Sequence, residues 1–139
     1  KEVEALRKMC ELSGIRPLVE RSRSGKGAHV WIFFKKAIPA ATARNFGFLL
    51  LDKGSTSINL KSFHYYDRMY PSQDVASSIG NLIALPLQGQ ALKNGNSAFV
   101  DENWNRKYQK KTSINFFYIL INYMISSPTW RRKNFLTAL

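Results

Sequence analysis

The chain holds a single cysteine, Cys10, in 139 residues. This excludes an intrachain disulfide and any zinc site built from several thiolates. It is the usage expected of a reducing, intracellular and cytoplasmic setting. Acidic residues are scarce too: 9 Asp and Glu stand against 21 Lys and Arg, a formal net charge of +12. No apolar run reaches the roughly 18–20 residues that cross a bilayer. The longest, Ile114 to Ile125, is interrupted by Asn115 and Asn122. The basic start leads into an amphipathic stretch rather than an apolar block, so it does not read as a signal peptide. Internal repeats and low-complexity segments are absent. Disulfide scaffolds and membrane partners are set aside, and a soluble protein is expected.

What is present is ordinary globular composition, 45% hydrophobic and 22% charged, at a length that fits one domain with one core. The basic excess is spread along both halves, so the folded body itself should be positive and draw in polyanions. Nucleic acid is the leading partner, ahead of an anionic membrane surface or free nucleotides. The plainer alternative is charge that serves only solubility.

Val3, Leu6, Met9 and Cys10 recur at helical spacing, and Gly14 should cap that helix. An extended run follows from Arg16 to Arg21, with Pro17 near its start. Ser22 to Gly27 reads as a basic, Gly-containing turn, and Ala28 to Phe34 as a β-branched and aromatic strand. The two strands should form a hairpin. Pro39 opens a second helix expected to end near Leu51, at Asp52-Lys53-Gly54-Ser55. Residues 55–80 carry little regular pattern and read as loop. Asn81 to Leu87 is expected as a third strand, and Ser97 to Val100 as a fourth beyond an Asn94-Gly95 turn. Helix, strand, strand, helix, strand is the β-α-β-β-α-β order of a ferredoxin-like unit without its first strand, which is central in such a sheet. The fold class expected is therefore α+β.

The chemistry concentrates at Arg21-Ser22-Arg23-Ser24-Gly25-Lys26-Gly27-Ala28-His29. Glycines let backbone amides turn toward an anion, while cations and hydroxyls supply donors. A triphosphate is the obvious guest. The segment is no Walker A loop, because Glu20 stands where the first glycine belongs and Gly27 follows the lysine. The alternative is an exposed hairpin turn with solvated cations. A lone histidine is more often structural, but the neighbouring cations point His29 toward phosphate. His64 has no such partner. Asp67, in a polar loop, is the carboxylate that could face a phosphate site and a divalent metal. Its alternative is a local pair with Arg68.

Ser22–Trp31, then Tyr66-Asp67-Arg68-Met69-Tyr70-Pro71-Ser72-Gln73-Asp74, then Gly80-Asn81-Leu82-Ile83-Ala84-Leu85-Pro86-Leu87-Gln88-Gly89 together resemble an archaeo-eukaryotic primase domain. The similarity is to the primase-polymerase domains of TOTE conflict systems and of CRISPR-associated primase-polymerases. Gly95 to Asn103 continues it, so the likeness covers residues 1–105 and leaves 106–139 as an extension, read as helical in preference to strand. The resemblance implies an RRM-like core and nucleic-acid-templated nucleotidyl transfer with Mg²⁺ or Mn²⁺, in the cytoplasm of a prokaryote or on a mobile element. Template-primer and NTP or dNTP would be its partners, with linked helicase or nuclease modules. By the same resemblance Gly27-Ala28-His29 matches the small-x-His motif, so His29 would contact the incoming phosphates, with Ser24, Lys26 and Gly27 beside it. Asp67 would be metal ligand and proton acceptor. Asn81 would lie near the nucleotide, with Gln88 and Lys93 as weaker candidates. Arg21, Arg23 and Lys93 would touch nucleic acid.

The family's first motif, Asp-x-Asp or Asp-x-Glu on the opening strand, occurs nowhere in the chain. That is the same strand missing from the element order. The expectation is a catalytic core piece that cannot extend a primer alone. The alternatives are a non-catalytic nucleotide- or nucleic-acid-binding remnant and a basic structural domain.

Overall fold

The computed structural model describes residues 2–57, 64–75, 83–107 and 135–138. Helix α1, Glu2–Leu12, buries Ala5, Leu6 and Cys10 along one face and places Glu2 and Glu4 in its first turn, where the helix dipole favours negative charge. Gly14 ends it as expected, at φ +73°. The Ile15 N–H bonds the Cys10 carbonyl at 2.8 Å and the Gly14 N–H bonds that of Glu11 at 2.9 Å. This is the paired closure of a Schellman cap.

The expected hairpin forms from β1, Leu18–Arg21, and β2, Ala28–Phe33. They pair antiparallel from Leu18 opposite Trp31 to Arg21 opposite Ala28. Pro17 sits just outside the ladder, where its missing N–H costs nothing. Val30, Trp31 and Ile32 are buried in succession, so both faces of β2 are covered.

Helix α2, Ala40–Ser57, runs past the expected stop at Leu51. Ser55 and Thr56 turn their hydroxyls back onto the Asp52 carbonyl, at 2.7 and 3.1 Å, and Gly54 is buried. The Asp-Lys-Gly-Ser segment thus lies in a last helical turn, packed through the buried Gly54. Ala43, Gly47, Leu50, Leu51 and Gly54 make its buried stripe. Helices α1 and α2 pack on each other and on one sheet face, closing a core with Val19, Val30, Ile32, Met69 and Val100.

Two expectations are corrected between residues 64 and 100. Asn81 and Leu82 lie outside the described residues, but Ile83–Leu87 is not a strand. Pro86 and a Leu87 φ of 65° break the extended path. The strand falls earlier, at β3, Met69–Tyr70, inside the segment read as loop. Asn94-Gly95 is not a hairpin turn but the end of a short helix, α3, Gly89–Lys93. Gly95 at φ +75° lets its own N–H reach the Leu92 carbonyl, and the next N–H, of Asn96, that of Ala91. Strand β4, Ala98–Val100, forms within the expected Ser97–Val100 segment, is buried, and pairs antiparallel with β1.

The fifth strand, β5, Phe135–Ala138, lies in the extension read as helical. It is antiparallel to β2 on one side and β3 on the other, giving the order β3-β5-β2-β1-β4. Residues 108–134 of that extension lie outside the described residues. The result is a mixed α+β fold with helices on a small antiparallel sheet. No described helix is long and apolar enough to cross a membrane.

Candidate functional site

The turn between β1 and β2 is held by its own serines. Ser22 Oγ accepts the Gly27 N–H at 3.1 Å, Ser24 Oγ accepts the Lys26 N–H at 3.3 Å, and the two hydroxyls are 3.2 Å apart. The Gly25 N–H bonds the Ser22 carbonyl and the Ser22 N–H bonds that of Gly27. Gly25 sits at φ +76°, where a Cβ would come within 2.7 Å of the Asn96 side chain. The turn is thus pinned internally and against the segment before β4. Its Gly25, Lys26 and Gly27 amides are engaged within the turn. An anion there meets side chains first: Lys26, Arg23 and the hydroxyls.

His29 opens β2 directly opposite Glu20. Alternation along β2 sends Val30 and Ile32 toward the helices and His29 and Trp31 to the other sheet face. There the His29 Nδ1 lies 3.0 Å from Glu20 Oε2, and the Trp31 Nε1–H donates to the same oxygen at 2.9 Å. The imidazole also meets the Trp31 ring edge-on at 6.5 Å between centroids. Its side chain is 14% exposed, enough for one edge to be reached from outside.

Arg21 lines the same region but donates to the carbonyls of Gly95 at 3.1 Å and Trp104 at 2.7 Å. It thereby ties β1 to the α3 cap and to the loop after β4. Asp67 is exposed and receives the Arg68 guanidinium at 3.0 and 3.4 Å, the local pair weighed from the sequence. Its neighbour Tyr66 has its phenol pushed above the ordinary range, first by burial and then by the Asp67 charge.

These groups share a pocket of about 580 Å³. Arg21, Ser24, Lys26, Gly27, His29, Tyr66 and Asp67 are all among its lining residues, with the His29 imidazole turned to the sheet face opposite the helices. Val3, Leu6, Leu51 and Trp104 supply its apolar lining. Arg23 is exposed on the turn without lining the pocket, and Gln88 and Lys93 also fall outside it. Gln88 instead donates to the Leu85 carbonyl at 3.1 Å and precedes α3. Asn81 lies outside the described residues.

The match to a family model decides the grouping: the archaeo-eukaryotic primase domain of TOTE conflict systems matches residues 1–115. The chain belongs to that family. Neither the curated proteins nor the solved structures compared with it gave a match. The family resemblance implies a divalent metal. Among the described residues of this TOTE primase domain, no group of three or more His, Cys, Asp or Glu side chains could hold a metal ion. The Asp67 carboxylate is exposed and paired with Arg68. Magnesium binding through one carboxylate depends on phosphate oxygens and waters for the remaining positions.

Sequence reasoning missed Glu20, which it read only as a departure from a Walker A pattern. A buried acid on a strand, opposite a histidine and two residues from a tryptophan across the ladder, was the signal available. It also missed Glu2, whose carboxylate accepts the Tyr65 N–H at 3.1 and 3.2 Å from the pocket's rim. That contact is 63 residues apart in sequence and left no local trace.

Proposed function

We propose that the turn Ser22–Gly27, together with His29, binds the triphosphate of a nucleotide within a primase-polymerase core, for template-directed nucleotidyl transfer. The observation that supports this reading is the sharing of one pocket by Ser24, Lys26, Gly27, His29 and Asp67, in a chain of the primase family. Lys26 supplies a compact charge, Ser24 a hydroxyl, and His29 a ring nitrogen for phosphate oxygens. Asp67 is the carboxylate that a divalent ion carried by the triphosphate would meet. Asn81 stays with this reading as a contact near the nucleotide, and Arg21, Arg23 and Lys93 as candidates for the nucleic-acid backbone.

A second reading is supported by a specific feature. The strand between β2 and β3 is Phe135–Ala138, the central place expected for the family's first strand, and it contains no acidic residue. A core with β5 in that place binds nucleotide without joining it to a primer.

Titration of a fluorescent deoxynucleoside triphosphate with and without Mg²⁺, and with Asp67→Asn, separates the two. The polymerase-core reading expects Mg²⁺ to tighten binding and Asp67→Asn to remove most of that gain. Mg²⁺-independent binding, with no extension of a primed template, would leave the binding reading alone.

A further inference from the structure

We propose that Glu20 is the positioning residue of His29, accepting a hydrogen bond from its Nδ1–H so that Nε2 is the nitrogen presented to phosphate. The proposal rests on the triphosphate reading above. Glu20 is 1% exposed, and no other described acidic residue is buried. A carboxylate in that position is costly unless donors surround it. Three do. Trp31 Nε1–H and His29 Nδ1 reach Oε2 at 2.9 and 3.0 Å, and the Ser97 hydroxyl reaches Oε1 at 3.2 Å.

Indole N–H can only donate, so Oε2 is set as an acceptor, and the imidazole must offer it a proton from Nδ1. No other described residue bonds the ring's Nε2. A phosphate oxygen is itself an acceptor, so the ring that binds it carries protons on both nitrogens. One stays with Glu20 and the other bridges to phosphate, with the carboxylate balancing the ring's charge. The scaffold around this pair is rigid. Glu20 and His29 face each other in register on β1 and β2. Ser97, whose Oγ also accepts the Gln88 N–H at 3.2 Å, ties the far side of the carboxylate to the segment before α3. A bare histidine at the mouth of a turn would sample both ring flips. This one is held by a hydrogen bond and an aromatic edge.

The test begins with the wild-type chain and needs no variant. Its ¹⁵N imidazole spectrum, recorded well above the ordinary histidine titration range, should show His29 protonated at Nδ1 and bare at Nε2. The Nε2-protonated tautomer would overturn the proposal. A double-mutant cycle then asks whether Glu20 acts through His29. Glu20→Leu is expected to weaken triphosphate binding by about tenfold, the size of a lost charge-assisted hydrogen bond. In a His29→Ala background the same change should cost less than about twofold. Equal losses in both backgrounds would show a general structural effect and overturn the assignment. If the wild-type chain binds no triphosphate, the parent reading fails, while the tautomer still decides whether Glu20 holds His29.

Discussion

At the scale of single residues, burial decides behaviour more than residue type does. Cys10 is completely buried on α1, and burial, reinforced by the charge of Glu11, pushes its thiol up to about 11. The folded chain therefore keeps a proton that the unfolded chain releases at lower pH. Stability is unaffected below the ordinary thiol range, falls as pH rises from about 9 toward 11, and levels off above that. Cys10→Ala should remove that thiol-dependent alkaline fall, at the cost of a small cavity. Urea unfolding of both chains at pH 7.5 and pH 10 checks this: the difference in midpoint should shrink at the higher pH. The native thiol should also resist alkylation until the helix opens. The same logic separates the two acids of the site. Glu20 is buried and held by three donors, whereas Asp67 is exposed and held by its own neighbour.

Among the elements, local chemistry was legible wherever it was self-contained. The α1 period, the Gly14 cap, the β1–β2 hairpin and β4 all follow from spacing, a positive φ or β-branched content within a dozen residues. The failures are where tertiary bonds override that chemistry. Asp52-Lys53-Gly54-Ser55 resembles a helix stop, yet Leu50, Leu51 and Gly54 continue the buried stripe, and that packing carries α2 onward. Ile83–Leu87 is apolar enough for a strand, yet its Leu87 N–H goes to the Ser97 carbonyl at 2.7 Å. Strand β5 depends wholly on partners more than sixty residues away, which no local pattern reports. Of the site, the turn and His29 were visible because they are contiguous. Glu20 was not, because its meaning comes from the opposite strand.

The two positive-φ glycines of the first hairpin region give a matched test of these element-level arguments. Gly14 at φ +73° has open space where a Cβ would go, so Gly14→Ala should cost only backbone strain, about 1 kcal/mol. Gly25 at φ +76° carries the same strain and also faces Asn96, with a Cβ 2.7 Å from its oxygen. Gly25→Ala should displace the Asn96 side-chain amide, the free end of a short side chain, and cost somewhat more than Gly14→Ala, about 1–2 kcal/mol. Denaturant midpoints rank the two variants. Equal losses would mean that the turn is not braced against Asn96.

For the whole molecule, a charge of +12 attracts any polyanion, and the attraction weakens as salt rises. That field was plain from composition alone, and it cannot by itself distinguish a site from a surface. The pocket adds what composition lacks: specific groups around one volume, with an apolar lining beside them. A triphosphate should therefore sense two contributions, a diffuse one that salt removes and a local one that salt reduces far less. The most direct measurement is equilibrium binding of a nucleoside triphosphate between 50 and about 300 mM salt, for the wild-type chain, His29→Ala and Lys26→Ala. The account predicts saturable binding that weakens with salt in all three, with each variant about tenfold weaker than wild type throughout. Binding that is indistinguishable among the three chains would contradict it, leaving a basic surface and no triphosphate site at the turn.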